Sequence, residues 1–163
     1  MYAYDPSAWT DLFVASAGAS AALAGLLFVA VSINLERIIG EVGLPERALE
    51  TVLLLIGVLI VSLISLIPGQ SAAVLGLELL VGGIALTFTV IRLPLVREGG
   101  VAPRPWLLTR WAIRILALAP LIIGGASLMT SDGGGLYWVV AAIVFATVGA
   151  VANAWVLLVE ILR

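Results

Sequence analysis

The sequence predicts an all-α integral membrane bundle of five transmembrane helices, with the N-terminus outside and the C-terminus cytoplasmic. Three observations carry this. Of 163 residues, 63% are hydrophobic and only 11% charged, whereas a soluble domain carries about 25% charged residues. Five apolar runs of spanning length follow one another, at about 11–35, 48–67, 72–93, 107–129 and 136–161. The 8 basic residues, all Arg, fall on one side of the resulting frame.

The first run, Asp11 to Leu35, is built from Ala, Gly and Ser in its N-terminal half. Small side chains let another backbone come close, which is how membrane helices pack. This run is therefore expected to be the central packing helix. Asp5 and Asp11 precede it in place of a positive n-region, and it is too long for a signal-peptide core despite Ala15-Ser16-Ala17. It should be retained.

The second run is rich in Leu, Ile and Val with scattered Ser62 and Ser65, which reads as a lipid-facing peripheral element. The fourth carries Pro120 in mid-span, so a kink relieved by Gly124 and Gly125 is expected. The links are marked by Gly40, Gly43 and Pro45, by Pro68-Gly69-Gln70-Ser71, by Gly99, Gly100 and Pro103, and by Thr130 to Gly135. None could hold a second domain, so residues 1–163 read as one.

Orientation follows from the arginines. Arg37 and Arg47 flank the first link, Arg92, Arg97, Arg104 and Arg110 surround the third, and Arg163 ends the chain. The N-terminus and the other two turns contain none. The positive-inside rule puts the arginine side in the cytoplasm. Tyr2, Tyr4, Trp9, Tyr137 and Trp138 then form an outer aromatic belt, and Trp106, Trp111 and Trp155 an inner one.

The first, third and fifth runs each carry a small or polar stripe at heptad-like spacing. The stripes read Ala15, Gly18, Ala22, Gly25, Val29, Ser32, Glu36; then Glu78, Gly82, Ala85, Thr89, Arg92; then Ala142, Ala146, Gly149, Asn153, Glu160. They predict that these three helices form the close-packed interior, with the second and fourth outside. Gly18, Ala22, Gly25, Gly82 and Gly149 are the packing candidates. Alanine and glycine are so common here that such stripes also arise by chance.

Intramembrane polar residues are costly and are functional candidates. Glu36, Glu50, Arg92, Arg110, Arg114 and Glu160 all fall near cytoplasmic helix ends. There they would pair as structural glue, or serve as a cytoplasmic gate or anion site. Arg114, the deepest, should pair with Glu50 or Glu160. Glu78 lies toward the outer end, where no Arg is placed. It reads either as a proton- or cation-binding carboxylate in an outward cavity, or as a protonated group bonded to Ser16 or Ser20. Asn153 fits an interhelical hydrogen bond.

Absences narrow the classes. The chain has no Cys and no His, which removes thiol nucleophiles, imidazole bases and the usual zinc and haem ligands. No cofactor is implied. No basic arm exists, so nucleic acid is not an expected partner. The glycine pairs lack the lysine and context of a phosphate loop, and no Ser has a base in reach for hydrolysis.

The run Gly25-Leu26-Leu27-Phe28-Val29-Ala30-Val31-Ser32-Ile33-Asn34-Leu35, then Arg47-Ala48-Leu49-Glu50-Thr51 and Pro68-Gly69-Gln70, resembles a largely uncharacterised family of small actinobacterial multi-pass membrane proteins. Some members carry the label "modulator of FtsH protease". The resemblance covers mainly the first half and supplies no catalytic motif. It implies bacterial origin and a cell-membrane location. Together these readings favour a non-enzymatic protein of the lipid bilayer acting by helix packing, as a homo-oligomer or on another membrane protein. An oligomeric ion or proton channel, or a small transporter, using Glu78 and the inner Glu/Arg layer is the alternative.

Overall fold

Two helix starts in this chain carry a clear local signal. Ser71 Oγ accepts the Val74 N–H at 3.3 Å, and Pro45 sits in a first turn, where its missing N–H costs nothing. The computed structural model describes residues 2–94 and 104–161, the side chains of 104–106, 160 and 161 excepted. After two short 3-10 turns at Tyr2–Tyr4 and Pro6–Trp9 come α1 (Thr10–Ile33), α2 (Leu35–Gly40), α3 (Leu44–Ser65), α4 (Ala72–Arg92), α5 (Arg104–Thr130) and α6 (Leu136–Ile161). All except α2 are long and apolar enough to cross a membrane, and no strand occurs among the described residues.

The packing order differs from the expected one. The helices α3, α6, α5 and α4 form a closed ring, each touching the next, with α3 and α4 making the lightest contact. Helix α1 lies outside this ring, against α3, and barely touches α6. Within the apolar windows 50% of residues are buried in α3 and α5, against 22% in the first span and 28% in α4. The expected interior of first, third and fifth spans is thus overturned: the second and fourth are the most enclosed, and the first is peripheral.

The physical reason is visible on α1 itself. Its buried residues are Phe13, Ser20 and Leu27, seven apart. The stripe of Ala15, Gly18, Ala22, Gly25, Val29 and Ser32 is offset by two positions, about 200° around a helix, and is exposed. The seam that α1 buries thus runs through Phe13, Ser20 and Leu27, with Leu23, Ala24 and Val31 packed beside it, rather than through the stripe. On α4 the buried set is Leu75, Gly76, Leu79, Gly83 and Val90, one position from the expected stripe, so Gly82, Ala85, Thr89 and Arg92 are exposed. Only the α6 stripe faces inward, with Ala142, Ala146 and Asn153 buried.

Close backbone approach occurs elsewhere. Helices α4 and α5 cross at Gly76 and Gly125, where a Cβ on Gly125 would lie 2.7 Å from Leu80 N and one on Gly76 2.7 Å from Gly125 O. Gly149 lets Ile113 Cγ2 approach to 2.8 Å of where its Cβ would be. By contrast nothing lies within 4 Å of such an atom at Gly18, Gly25 or Gly82. Helix α5 runs through Pro120 as one helix, and Gly124 and Gly125 serve packing against α6 and α4.

The two ends of the bundle differ chemically. At one end the N-terminal turns dock on the turn before α6: Trp9 and Tyr137 meet edge to face at 5.0 Å, and Gly134 N–H donates to the Tyr4 hydroxyl at 3.1 Å. Gly133 to Gly135 all adopt positive φ there, a conformation that disfavours other residues. The described arginines, Arg37, Arg47, Arg92, Arg110 and Arg114, lie toward the other end.

Candidate functional site

Inside the arginine end of the ring, two arginines of α5 converge on one carboxylate of α3. Arg110 and Arg114 are four residues apart on α5 and so share a face. Glu50 meets them from α3. Arg110 Nη2 donates to Glu50 Oε2 at 2.6 Å, and Arg114 Nη2 donates to the same oxygen at 2.9 Å. Arg114 Nε lies 3.4 Å from Glu50 Oε1. Arg110 Nη1 donates to Asn153 Oδ1 of α6 at 2.7 Å, and Arg114 Nη1 to the Leu93 carbonyl just past α4 at 3.3 Å. Every ring helix therefore contributes to the network or abuts it.

Burial makes this network costly to disturb. Glu50 and Arg114 are each 1% exposed. A lone buried charge carries a desolvation penalty of several kcal/mol, which only close, hydrogen-bonded pairing offsets. The pairing is close but incomplete, since Arg110 Nε and Asn153 Nδ2 are buried without a partner.

Of the six charged residues placed in the inner layer, the structure brings together Glu50, Arg110 and Arg114. Glu36 lies exposed on α2, and Arg92 stacks its guanidinium 4.0 Å over the Phe88 ring. The Glu160 side chain falls outside the described residues. The Arg110–Asn153 bond and the Leu93 carbonyl are additions that spacing alone does not reveal. A cue for the first was available, since the two spans are consecutive and both residues fall toward the arginine end of their helices.

Glu78 finds a different partner from the serines of the first span. Gln70 Nε2, in the turn before α4, donates to Glu78 Oε2, while Ser20 Oγ donates to its own helix at Ala17 O. Glu78 is half-buried. Serine and threonine hydroxyls largely follow this local pattern: Ser65, Thr87 and Thr147 each donate to the carbonyl four residues back, satisfying the hydroxyl without an interhelical bond.

Comparison with protein-family models, curated proteins and solved structures finds no match. The class rests on the fold: an all-helical bundle whose five apolar helices fit a membrane-embedded protein. Its signature is a buried Glu–Arg–Arg–Asn network at one end of a four-helix ring.

Proposed function

We propose that the chain is a non-enzymatic, multi-pass bacterial cell-membrane protein that acts by association within the bilayer, with itself or with a membrane partner such as a protease. One observation carries this reading. The small-residue face of α1, from Ala15 to Ser32, is exposed and has no partner among the described residues, and Gly18 and Gly25 open onto empty space. Small faces favour close helix approach in a bilayer. Beside this face a wholly apolar recess of about 260 Å³ opens between α1 and α6, lengthening the surface on offer. The arginine end is read as cytoplasmic by the positive-inside rule.

Cysteine crosslinking tests it cleanly, because the chain has no Cys. Single Gly18→Cys and Gly25→Cys variants in native-like membranes are expected to give disulfide-linked dimers, or adducts with one partner, while Leu63→Cys on exposed α3 surface does not. Equal yields at all three sites, or none, would refute the proposal.

The channel alternative draws no support from a single chain. The ring interior is filled by Leu54, Val58, Val61, Leu118 and Leu121, around a void of about 20 Å³, about one water-sized probe. Proton flux in liposomes, wild type against Glu78→Gln, separates the readings: association predicts none in either.

A further inference from the structure

We propose that Arg110 and Asn153, beside the charge of Arg114, form a binding site for one phosphate-type oxyanion at the arginine end of the ring. The site involves α5 and α6 rather than α1, so it stands independently of the association reading.

Charge is the first argument. Among the described residues, two buried guanidiniums are paired with one carboxylate, Glu50. Glu46, one turn before Glu50 on α3, leaves its Oε2 buried and unpartnered, so that oxygen does not complete the cluster.

Hydrogen-bond geometry is the second. Arg114 spends its Nε–Nη2 edge on Glu50 and its Nη1 on the Leu93 carbonyl, so it brings positive charge to the site rather than a free donor. Arg110 spends Nη1 on Asn153 and Nη2 on Glu50, leaving Nε buried and unpaired. Asn153 Nδ2 is likewise unpaired and buried. Because Oδ1 and Nδ2 share one carbon, this amide N–H sits beside the same guanidinium.

Both orphan atoms are donors, and each buried donor left unsatisfied costs about 1–3 kcal/mol. Their complement is an acceptor bearing negative charge. A tetrahedral oxyanion supplies several acceptor oxygens at once, and arginine favours such groups by its planar fork. Two sources share this chemistry: the headgroup phosphate of a membrane phospholipid, and free inorganic phosphate.

The test uses the full chain with Arg110→Lys, which keeps charge but removes the Nε donor, and Asn153→Leu, which removes the amide and leaves both guanidiniums on Glu50. Thermal unfolding in mild detergent is followed against inorganic phosphate at fixed ionic strength. Native mass spectrometry from phosphatidylglycerol-containing nanodiscs reports retained lipid. A saturable phosphate-dependent rise in Tm identifies the free anion, and one phospholipid retained per chain identifies the headgroup. In either case apparent affinity should fall by about tenfold or more in both variants, about 1.4 kcal/mol. If Arg110→Lys does not fold, Asn153→Leu decides alone. Neither effect in wild type, or an effect undiminished in the variants, overturns the proposal.

Discussion

Arg114 and Glu50 face each other edge to edge, with Arg114 Nη2 2.9 Å from Glu50 Oε2 and Nε 3.4 Å from Oε1. The same Oε2 accepts from Arg110 at 2.6 Å. One carboxylate thus holds two cations from α5 against α3, and the three charges stand or fall together.

Glu50→Gln should accordingly be the most damaging single change at this end. It strands two guanidiniums in a buried setting, where breaking a buried pair costs about 3–5 kcal/mol. The triple variant Glu50→Leu, Arg110→Met, Arg114→Met should recover most of that loss, because apolar groups of similar volume can replace buried ion pairs. Reversible unfolding in mixed micelles measures both. A triple variant no better than Glu50→Gln would show that packing, not charge, governs the site.

The glycines separate by what surrounds them. At Gly125 a Cβ would lie 2.7 Å from Leu80 N, on backbone that cannot swing aside. Gly125→Ala should therefore lower stability by about 1–3 kcal/mol through overpacking at the α4–α5 crossing. In the dissociated chain Gly25→Ala meets nothing within 4 Å and should be neutral or stabilising by a few tenths of a kcal/mol through helix propensity. Parallel thermal melts decide it.

This contrast explains how much was legible beforehand. Span number follows from hydropathy, since each run must be long enough to cross and the turns carry Gly and Pro. Helix neighbours do not follow. Small residues mark close approach but not with whom, and on α1 the stripe from Ala15 to Ser32 faces away from the other described helices while Phe13, Ser20 and Leu27 are buried. The α3 run offers leucine, isoleucine and valine on every side, which suits a lipid face and a ring interior equally. In the charged layer, Glu50 with Arg114 was readable from depth. The Gln70–Glu78 bond was not, because it depends on how the Pro68 turn folds back.

Ser62 is wholly buried, and its hydroxyl has no partner, unlike Ser65 one turn on, which bonds to Val61 O at 2.8 Å. Removing an unsatisfied buried hydroxyl relieves a desolvation cost of about 1–3 kcal/mol, less what the lost atom contributed to packing. Ser62→Ala should raise stability by about 1 kcal/mol, while Ser65→Ala should not. The same unfolding assay applies, and a destabilised Ser62→Ala would mean a hidden partner.

Asp5 gives a pH signature at the opposite end. Its carboxylate accepts the Ser7 hydroxyl at 2.6 Å and the Ser7 N–H at 3.0 Å. These bonds, the side-chain one foremost, hold its pKa below the ordinary 3.8. A depressed folded pKa means the cap stabilises the turn above about pH 3.8 and loses that contribution as pH falls through the lower folded value. The Ser7 amide resonance should titrate with a midpoint below 3.8, and Asp5→Asn should abolish the transition. A midpoint at or above the ordinary value would contradict the cap.

Gln70 and Glu78 bring the turn before α4 back onto its second turn, with Gln70 Nε2 donating to Glu78 Oε2. If this tie is what Glu78 contributes, Gln70→Ala and Glu78→Ala should be non-additive. A coupling energy of about 0.5–1 kcal/mol is expected for residues sharing one bond, at the lower end because Glu78 is only half-buried and solvent competes for it. Glu78→Gln should keep much of the coupling, since an amide oxygen still accepts from Gln70. Additive single effects in the double-mutant cycle would mean that the bond contributes nothing to the fold, and would return Glu78 to consideration as a group facing water or an ion.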